Sequence, residues 1–158
     1  MKLTIRKASA QDYDSLCELY DQVDALHREK CPDIFCKPQG PARDRNYILG
    51  LIEDENVGLF VADREGKLAG FIHAIMRDTP PLPIMVPRRY AVVDTMAVRQ
   101  DSRRIGIGQA LMEKACQWAA GKGAAAMELN VYRFNEGAIA FYQALGYQTV
   151  RQQMSKAL

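Results

Sequence analysis

The length, composition and charge of the chain exclude several classes of protein. Its 158 residues fit one domain with one core, and 48% hydrophobic with 25% charged residues is typical of globular rather than disordered or fibrous proteins. The formal net charge of +2 is too small to indicate nucleic-acid binding. No apolar run approaches the roughly 20 residues of a membrane span, and the N-terminal residues lack a signal-peptide pattern. We therefore expect one cytoplasmic domain over residues 1–158 that binds neither nucleic acid nor membranes.

The four cysteines, Cys17, Cys31, Cys36 and Cys116, do not have the spacing of a metal site. A zinc site needs a second close pair of Cys or His, and the sequence has none. His27 lies near Cys31, which makes only a weak set of ligands. We therefore expect reduced thiols and no bound metal.

The first part of the chain predicts one strand and two helices. Lys2–Lys7 reads as a strand, and Ser9 with Asp12 has the spacing of a capping box at the start of a helix. One face of that helix carries Leu16, Leu19, Tyr20, Val23 and His27. Prolines make Pro32–Arg45 irregular, and a short second helix is expected near Asn46–Ile52.

The middle of the chain predicts three strands. Val57–Asp63 and Leu68–Met76 are joined by the turn signal Glu65-Gly66, which indicates a hairpin. Four prolines between Pro80 and Pro87 exclude regular structure there. Tyr90–Val98 is apolar on both faces, which favours a central position in a sheet.

The last part predicts two more helices and two more strands. A helix with apolar residues at helical spacing starts at Ile107 and ends at Gly121. Ala125–Tyr132 reads as a strand, Asn135 is a good N-cap for a helix that ends at Gly146, and Tyr147–Leu158 reads as mostly extended. The order β-α-α-β-β-β-α-β-α-β predicts a mixed α/β domain in which helices cover a largely antiparallel sheet.

The turn from Arg103 to Gly108 has the features of a pyrophosphate cradle. It follows a strong strand and begins a helix, whose free N–H groups carry partial positive charge. Gly106 and Gly108 let a phosphate approach the backbone, and Arg103 and Arg104 supply positive charge. Neither a Walker loop nor a three-glycine dinucleotide fingerprint is present. A plain turn with two glycines and two solvated arginines is the alternative.

A second stretch, Asn135–Tyr147, places Asn135 and Tyr142 two turns apart on one helix face. An amide and a phenol there could line a groove together. The alternative is an ordinary N-cap and a core aromatic residue.

Taken together, the two stretches resemble the GCN5-related N-acetyltransferase family. Its acetyl-CoA signature, Gln/Arg-x-x-Gly-x-Gly/Ala, is matched by Arg103-Arg104-Ile105-Gly106-Ile107-Gly108. The segment Val93–Val98 is similar to the family's fourth strand, and Asn135 to Tyr147 matches its C-terminal signature. The resemblance implies the acyl-CoA N-acyltransferase fold: a sheet of about six or seven strands, flanked by four helices and splayed between strands four and five.

The resemblance also implies how acetyl-CoA would be held. Amides from Arg104 to Gln109 would bind the pyrophosphate, the backbone of Met96 and Val98 would pair with the pantetheine arm, and Asn135 would hydrogen-bond that arm. The full expected cofactor-binding set is Met96, Ala97, Val98, Arg103, Arg104, Ile105, Gly106, Ile107, Gly108, Gln109, Asn130, Asn135, Ala138 and Tyr142. The sequence does not fix the oligomeric state, although family members are often homodimers.

The implied reaction is the transfer of an acetyl group to a primary amine, with Tyr142 as general acid. A tyrosine of pKa about 10 can protonate a leaving thiolate of pKa about 8.5. Asp94 is the expected base, acting through water or by attracting the ammonium, because its ordinary pKa of about 3.9 makes direct proton removal weak. Glu128 and Asn130 are rivals, and a structural role for Asp94 is the alternative.

The acceptor amine is expected to meet two segments. One contains Tyr20, Asp24, His27, Pro32, Asp33 and Phe35, and the other is the proline-rich Thr79–Arg89. Asp21, Asp24 and Asp33 could attract a cationic amine or form an ordinary solvated face.

Two functions of other classes stay open. One is a non-catalytic domain that binds or senses CoA. The other is a nucleic-acid module that uses Arg88, Arg89, Arg103 and Arg104, against which the low net charge and the lack of interleaved aromatic residues count.

Overall fold

The structure, a computed structural model, describes residues 2–158. Within that range five strands form one sheet in chain order, β1 to β5. Their bounds are Leu3–Lys7, Val57–Arg64, Lys67–Asp78, Arg89–Val98 and Met127–Leu129. Neighbouring strands are antiparallel except β4 and β5, which are parallel. The predicted mixed, largely antiparallel sheet is confirmed, with β4 inside it rather than at an edge.

Helices cover both faces of this sheet. They are α1 (Tyr13–Lys30), α2 (Arg45–Glu53), α3 (Ile107–Gly121) and α4 (Glu136–Ala144). On one face α1 and α2 bury Leu16, Leu19 and Ile48 against Phe71; on the other, α3 buries Ile107 and Leu111 against Ile72, with α4 packed beside it. Because side chains alternate across a strand, Phe71 and Ile72 of β3 serve opposite cores.

The capping box predicted before the first helix is present, at the start of a 3₁₀ turn (Ala10–Asp12) that leads into α1. The Ser9 N–H donates to the Asp12 carboxylate at 2.8 Å, and the Arg6 guanidinium binds the same carboxylate through two bonds of 2.8 Å. Charge-assisted, bidentate pairs of this kind are among the stronger polar contacts. They fix the end of β1 to the start of the helical segment.

The turn predicted at Glu65-Gly66 joins β2 to β3. Both residues have positive φ, 55° and 88°, as a type I′ hairpin turn requires. The Gly66 N–H donates to an Asp63 carboxylate oxygen at 2.7 Å, so a side chain also closes the turn.

A β-bulge interrupts β4 at Asp94. Thr95 pairs with His73 of β3, and Val93 pairs with the next β3 residue, Ala74. Asp94 therefore has no paired residue on β3 within residues 2–158. An extra residue of this kind bends the strand and turns side chains to new directions. The bulge therefore sets Asp94 apart from the regular ladder.

The strands β4 and β5 separate soon after they meet. Only Ala91, Val92 and Val93 pair with β5, although β4 continues to Val98. The predicted splay is thus present, and it begins at the bulge. Beyond this point β4 has no strand neighbour on the side opposite β3 within residues 2–158.

Two strand predictions are wrong in extent. The strand expected over Ala125–Tyr132 is reduced to Met127–Leu129, because the chain leaves β4 after Leu129 and turns toward α4. The strand expected over Tyr147–Leu158 is absent from the described residues, so the sheet has five strands rather than six or seven. This segment lacks the alternation that buries one face of a strand.

The described part of the chain, residues 2–158, has no helix long and apolar enough to span a membrane.

Candidate active site

The turn before α3 leaves backbone N–H groups free. Gly106 has φ 85° and Arg104 has φ 62°, so both take the left-handed conformation, and Gly106 provides no side-chain cap. The Ala110 N–H makes the first helical bond, to Gly106 O at 3.0 Å. The amides of Ile107, Gly108 and Gln109 therefore lack helical partners. Such amides, with the helix dipole, form an anion-binding site.

Gly108 also lets α4 approach α3. A Cβ at this position would lie 3.2 Å from the Phe141 ring and 3.8 Å from the Val98 side chain. The glycine thus brings the start of α3, the end of β4 and α4 together. This contact places the two sequence signatures side by side.

The open edge of β4 presents backbone groups from Met96 and Val98. The Arg99 N–H bonds to Ala69 of β3 at 2.7 Å, and backbone groups of successive strand residues point to alternate edges. The Met96 and Val98 groups therefore point away from β3, whereas Ala97 pairs with Phe71 and buries its side chain.

The carbonyl of Val98 is already bonded. It accepts from the Gln22 side chain of α1 at 3.0 Å and from Arg103 Nε at 3.3 Å. The Val98 N–H and both polar groups of Met96 have no partner among residues 2–158. These three groups remain for a molecule lying along the edge.

Asn135 caps α4. Its side-chain oxygen accepts from the Ala138 N–H at 3.3 Å, so the N-cap prediction is confirmed. This bond leaves the side-chain NH₂ group of Asn135 for a ligand. Asn130 is exposed beyond the end of β5.

Tyr142 lies half-buried on α4. Its ring contacts Phe141 and Tyr147 at centroid distances of 5.2 and 5.8 Å. Burial raises the pKa of Tyr142 above its usual value, which keeps the phenol protonated. No hydrogen bond to its hydroxyl occurs within residues 2–158. The hydroxyl is therefore a proton donor without a resident acceptor.

Asp94 is a carboxylate held by two side chains. Its Oδ2 lies 3.3 Å from His73 Nδ1 and accepts from Thr95 Oγ1 at 3.0 Å. The contact with His73 holds the pKa of Asp94 below its usual value, although partial burial opposes this. The side chain is 48% exposed. Asp94 is thus ionised at neutral pH and accessible to a cation.

His73 was not predicted as a site residue. It is 1% exposed, and its Nδ1 also lies 3.3 Å from the Tyr20 hydroxyl. Its Nε2 is buried and has no hydrogen-bond partner in the described part of the chain. In a neutral ring with hydrogen on Nδ1, the buried Nε2 is an acceptor that lacks a donor. In an imidazolium, Nε2 would carry a buried N–H that lacks an acceptor, which costs more. The geometry therefore favours neutral His73 donating from Nδ1 to Asp94.

Tyr20 connects this cluster to α1 and to the segment before α2. Its ring lies under Arg43, whose Cζ is 4.3 Å from the ring centroid. Arg43 in turn binds Asp24 at 2.7 and 3.2 Å. Desolvation raises the pKa of Tyr20. Because Asp24 is neutralised by Arg43, Asp94 is the carboxylate of this cluster without a cationic Arg or Lys partner within residues 2–158.

The other predicted acids and the rival base are differently placed. Asp21 pairs with Arg28 at 3.2 Å, and Glu128 pairs with Arg88 at 2.6 Å. The Arg88 guanidinium also lies 4.3 Å from the Tyr90 ring centroid. These contacts tie the proline-rich loop to β5 and occupy the Glu128 carboxylate.

His27 and Phe35 belong to a cluster of four rings. Centroids of His27 lie 5.4–5.6 Å from those of Phe35, Tyr132 and Phe134, and His27 Nδ1 bonds to Val23 O at 2.8 Å. The cluster joins the end of α1 to the segment between β5 and α4. His27 is therefore packed between aromatic rings rather than placed as a metal ligand.

No group of three or more candidate metal ligands occurs among residues 2–158. All four cysteines are free thiols.

Solved structures of other proteins share this fold. A mutant form of a Bacillus halodurans protein superposes with a TM-score of 0.93 at 29% identity, covering 98% of this chain and 99% of that one. An aminoglycoside N-acetyltransferase in complex with CoA superposes with a TM-score of 0.75 at 15% identity, covering 98% of both chains. The fold is that of the acyl-CoA N-acyltransferases.

Sequence comparison gives the family. The model of the acetyltransferase (GNAT) family matches residues 20–147, and this chain belongs to that family. An uncharacterized N-acetyltransferase of Methanocaldococcus jannaschii is 32% identical over 145 residues, which cover 92% of this chain. The chain spans about 60% of that relative's length.

Proposed function

We propose that the protein transfers the acetyl group of acetyl-CoA to a primary amine by direct attack. The observation that carries this proposal is the continuity of two open backbone surfaces. The free edge of β4 at Met96 and Val98 leads into the uncapped start of α3, and Phe141 packs against Gly108 at that junction. A ligand with an amide-containing arm and a pyrophosphate suits this sequence of groups.

In this proposal the cofactor lies along the splay. The amides of Ile107, Gly108 and Gln109 bind the pyrophosphate, with added charge from Arg103 and Arg104. Met96 and Val98 hydrogen-bond the pantetheine arm as a neighbouring strand would, and Asn135 supplies its free NH₂ group. When bound, acetyl-CoA supplies the activated acetyl carbon.

Asp94 attracts the acceptor and helps to prepare it. An alkylamine of pKa about 10.4 arrives mostly as ammonium, and the Asp94 carboxylate is the partner open to it. With a lowered pKa, Asp94 is a weak direct base. The ammonium proton therefore leaves through water, and Asp94 orients the free amine toward the acetyl carbon.

Two groups of this chain stabilise the bond changes. A new C–N bond forms as the amine attacks, and the developing oxyanion accepts from the Met96 N–H, which faces the splay. The C–S bond then breaks, and the Tyr142 hydroxyl gives its proton to the departing sulfur. The nitrogen then loses its second proton through water, which returns a proton to the Tyr142 phenolate, and the products are the acetylated amine and CoA with a free thiol.

The alternative is a domain that binds CoA without chemistry. The half-buried, protonated Tyr142 and the accessible Asp94 favour catalysis, because binding alone requires neither. Aminoglycoside acetyltransferases share the fold, so aminoglycosides belong among the amines to be tested, with polyamines and peptide N-termini.

A thiol-release screen with acetyl-CoA against a broad panel of amines tests this proposal. We expect release that depends on one class of amine and a product heavier by one acetyl group. Binding of CoA by calorimetry, without acetylation of any amine in the panel, would favour the sensing domain instead.

A further inference from the structure

One face of the sheet is covered by helices over only part of its length. Side chains alternate along β3, so His73, Ile75 and Arg77 point to the side of Phe71, which α1 and α2 cover. Ile75 and its partner on β4, Val92, are nonetheless partly exposed, and the hydrophobic clusters of residues 2–158 include neither. These two side chains form an apolar strip that α1 and α2 leave open to solvent.

Opposite charges lie at the two ends of this apolar strip. Asp94 lies at one end and on the same face, since its Oδ2 is 3.3 Å from Nδ1 of His73. Arg77 lies at the other end, beyond Ile75 on β3, and is exposed. The steps along β3 from His73 to Arg77 cover about 13 Å of extended strand. The apolar strip thus runs from a carboxylate to a guanidinium.

The Arg77 side chain has no partner of its own in the described part of the chain. It makes neither a hydrogen bond nor an ion pair there. The neighbouring charges are already paired, Arg89 with Asp78 at 3.9 Å and Arg88 with Glu128 at 2.6 Å. Arg77 therefore supplies the uncompensated charge at this end of the strip. A guanidinium in this state is suited to a carboxylate or phosphate, which it can bind through two parallel hydrogen bonds.

Building on the acetyl transfer proposed above, we propose that the acceptor is an extended primary amine with an acidic group at its far end, and that Arg77 binds this acidic group. The ammonium meets Asp94, as in the proposed reaction. The chain between the two groups lies on Ile75 and Val92, which lose exposed apolar area on binding.

The order of charges distinguishes this acceptor from other amines. A simple alkylamine can pair with Asp94 and cover the apolar strip, but it leaves Arg77 without a partner. A diamine of the same length brings its second ammonium toward Arg77, and like charges repel. Only an amine with an acidic end satisfies both charges, and it does so in one orientation, with the amine at Asp94.

Calorimetry with three ligands tests this recognition without requiring acetyl transfer. The ligands are 8-aminooctanoate, octylamine and 1,8-diaminooctane, which share one alkyl chain and differ in the group at the far end. We expect 8-aminooctanoate to bind about fivefold more tightly than octylamine, as one exposed ion pair allows, and the diamine to bind most weakly. The values of kcat/KM from thiol release should follow the same order.

Arg77→Glu should reverse this order, because its carboxylate attracts the second ammonium of the diamine and repels the acid. Lys2→Glu is the matched control, since it makes the same change of charge at an exposed residue. Lys2 lies just before β1, at the opposite edge of the sheet from β5. It should keep the order of the wild type, and circular dichroism should show both variants folded.

Several outcomes would overturn the role of Arg77. They are equal affinities of the three ligands, an order that Arg77→Glu leaves unchanged or that Lys2→Glu alters, and no binding at all, as when a second copy of the chain covers this face. Preferential binding of 8-aminooctanoate without thiol release would instead refute the acetyl transfer and keep the binding site. Thiol release at equal rates with all three amines would support the transfer and refute recognition of the acid.

Discussion

The two ends of the candidate site are built from different parts of the polypeptide. At the proposed cofactor end the candidate binding groups are backbone amides of β4 and of the start of α3, and glycines make them accessible. At the acceptor end Tyr20, His73 and Asp94 converge from three elements, and each group depends on its neighbour's position. Backbone sites depend on local conformation, whereas the acceptor end depends on tertiary packing.

This difference sets how each end responds to substitution. Removing a side chain at the cofactor end leaves the backbone groups in place, so residues that set φ or close contacts should matter most there, and loss of the Arg103, Arg104 or Asn135 side chain should have a smaller effect. At the acceptor end one truncated side chain leaves its partners unsatisfied, which costs more than the bond it made. Variants at the two ends should therefore separate effects on CoA affinity from effects on turnover.

The largest expected effect is on turnover by Tyr142→Phe. Loss of the proton donor to the departing sulfur should lower kcat by about a thousandfold, as measured by thiol release. CoA affinity and melting temperature should hardly change, because the hydroxyl has no bond within residues 2–158. Tyr147→Phe is the matched control, a neighbouring phenol 5.8 Å away by ring centroids, and it should retain activity. Equal rates for both variants would remove Tyr142 from the mechanism.

Asp94→Asn should lower kcat/KM for the amine by about a hundredfold, because the ammonium loses its carboxylate partner. With its pKa held low, Asp94 loses its charge only below about pH 4, so the wild type's acidic limb lies there and the variant lacks it. Glu128→Gln, which alters a carboxylate already paired with Arg88, should change little. An Asp94→Asn profile that keeps the acidic limb would contradict this role.

Gly106→Ala tests the cofactor end. With φ at 85°, the new Cβ costs roughly 1–2 kcal/mol unless the turn rearranges, so we expect weaker CoA binding by calorimetry and a lower melting temperature. Gly121→Ala, at a helical position with open space around it, should leave CoA affinity unchanged and should not lower the melting temperature, because alanine favours a helix more than glycine does. Undiminished CoA affinity in Gly106→Ala would show that this turn does not hold the pyrophosphate.

The smallest expected effect is on stability against acid. The pKa of Asp94 is lowered in the folded protein, so its carboxylate adds to the free energy of unfolding above the ordinary carboxyl pKa of about 3.9. This stabilisation is lost as the pH falls through the lower pKa of the folded protein. Urea unfolding should therefore give a higher free energy of unfolding for wild type than for Asp94→Asn at pH 7, and this difference should narrow near pH 3. Half-exposed, the group should contribute no more than about 1 kcal/mol. A difference in the free energy of unfolding that widens toward low pH would contradict the lowered pKa assigned to Asp94.

Most of the fold follows from local patterns. Capping residues, the Glu65-Gly66 turn and apolar spacing predicted four helices and four strands near their observed bounds, because each depends on neighbours in sequence. The short extent of β5 and the lack of a strand over residues 147–158 could not be predicted in this way. A strand needs a partner edge, and its presence depends on how the rest of the molecule is arranged.

In the candidate site, too, the local features were predicted from the sequence and the features that depend on tertiary packing were not. The turn at Gly106 and the cap at Asn135 were accessible from spacing alone, since both are local features of helix starts. His73 was missed because it reads as one more residue of an apolar strand. Only the pairing of His73 with Thr95, next to the bulge, brings its ring to Asp94. The register between β3 and β4 is therefore the first information from which His73 could have been predicted as a site residue.

The bulge at Asp94 also keeps the acidic side chain separate from the backbone edge of β4. Before the bulge the backbone of Ala91 bonds toward β5, and after it the backbone of Arg99 bonds toward β3. Deleting Asp94 would join Val93 directly to Thr95 and restore one uninterrupted ladder, because these two residues already pair with neighbouring residues of β3. Met96 and Val98 would still direct their polar groups toward the splay. A one-residue deletion at the bulge would thus remove the carboxylate and leave the proposed cofactor surface in place.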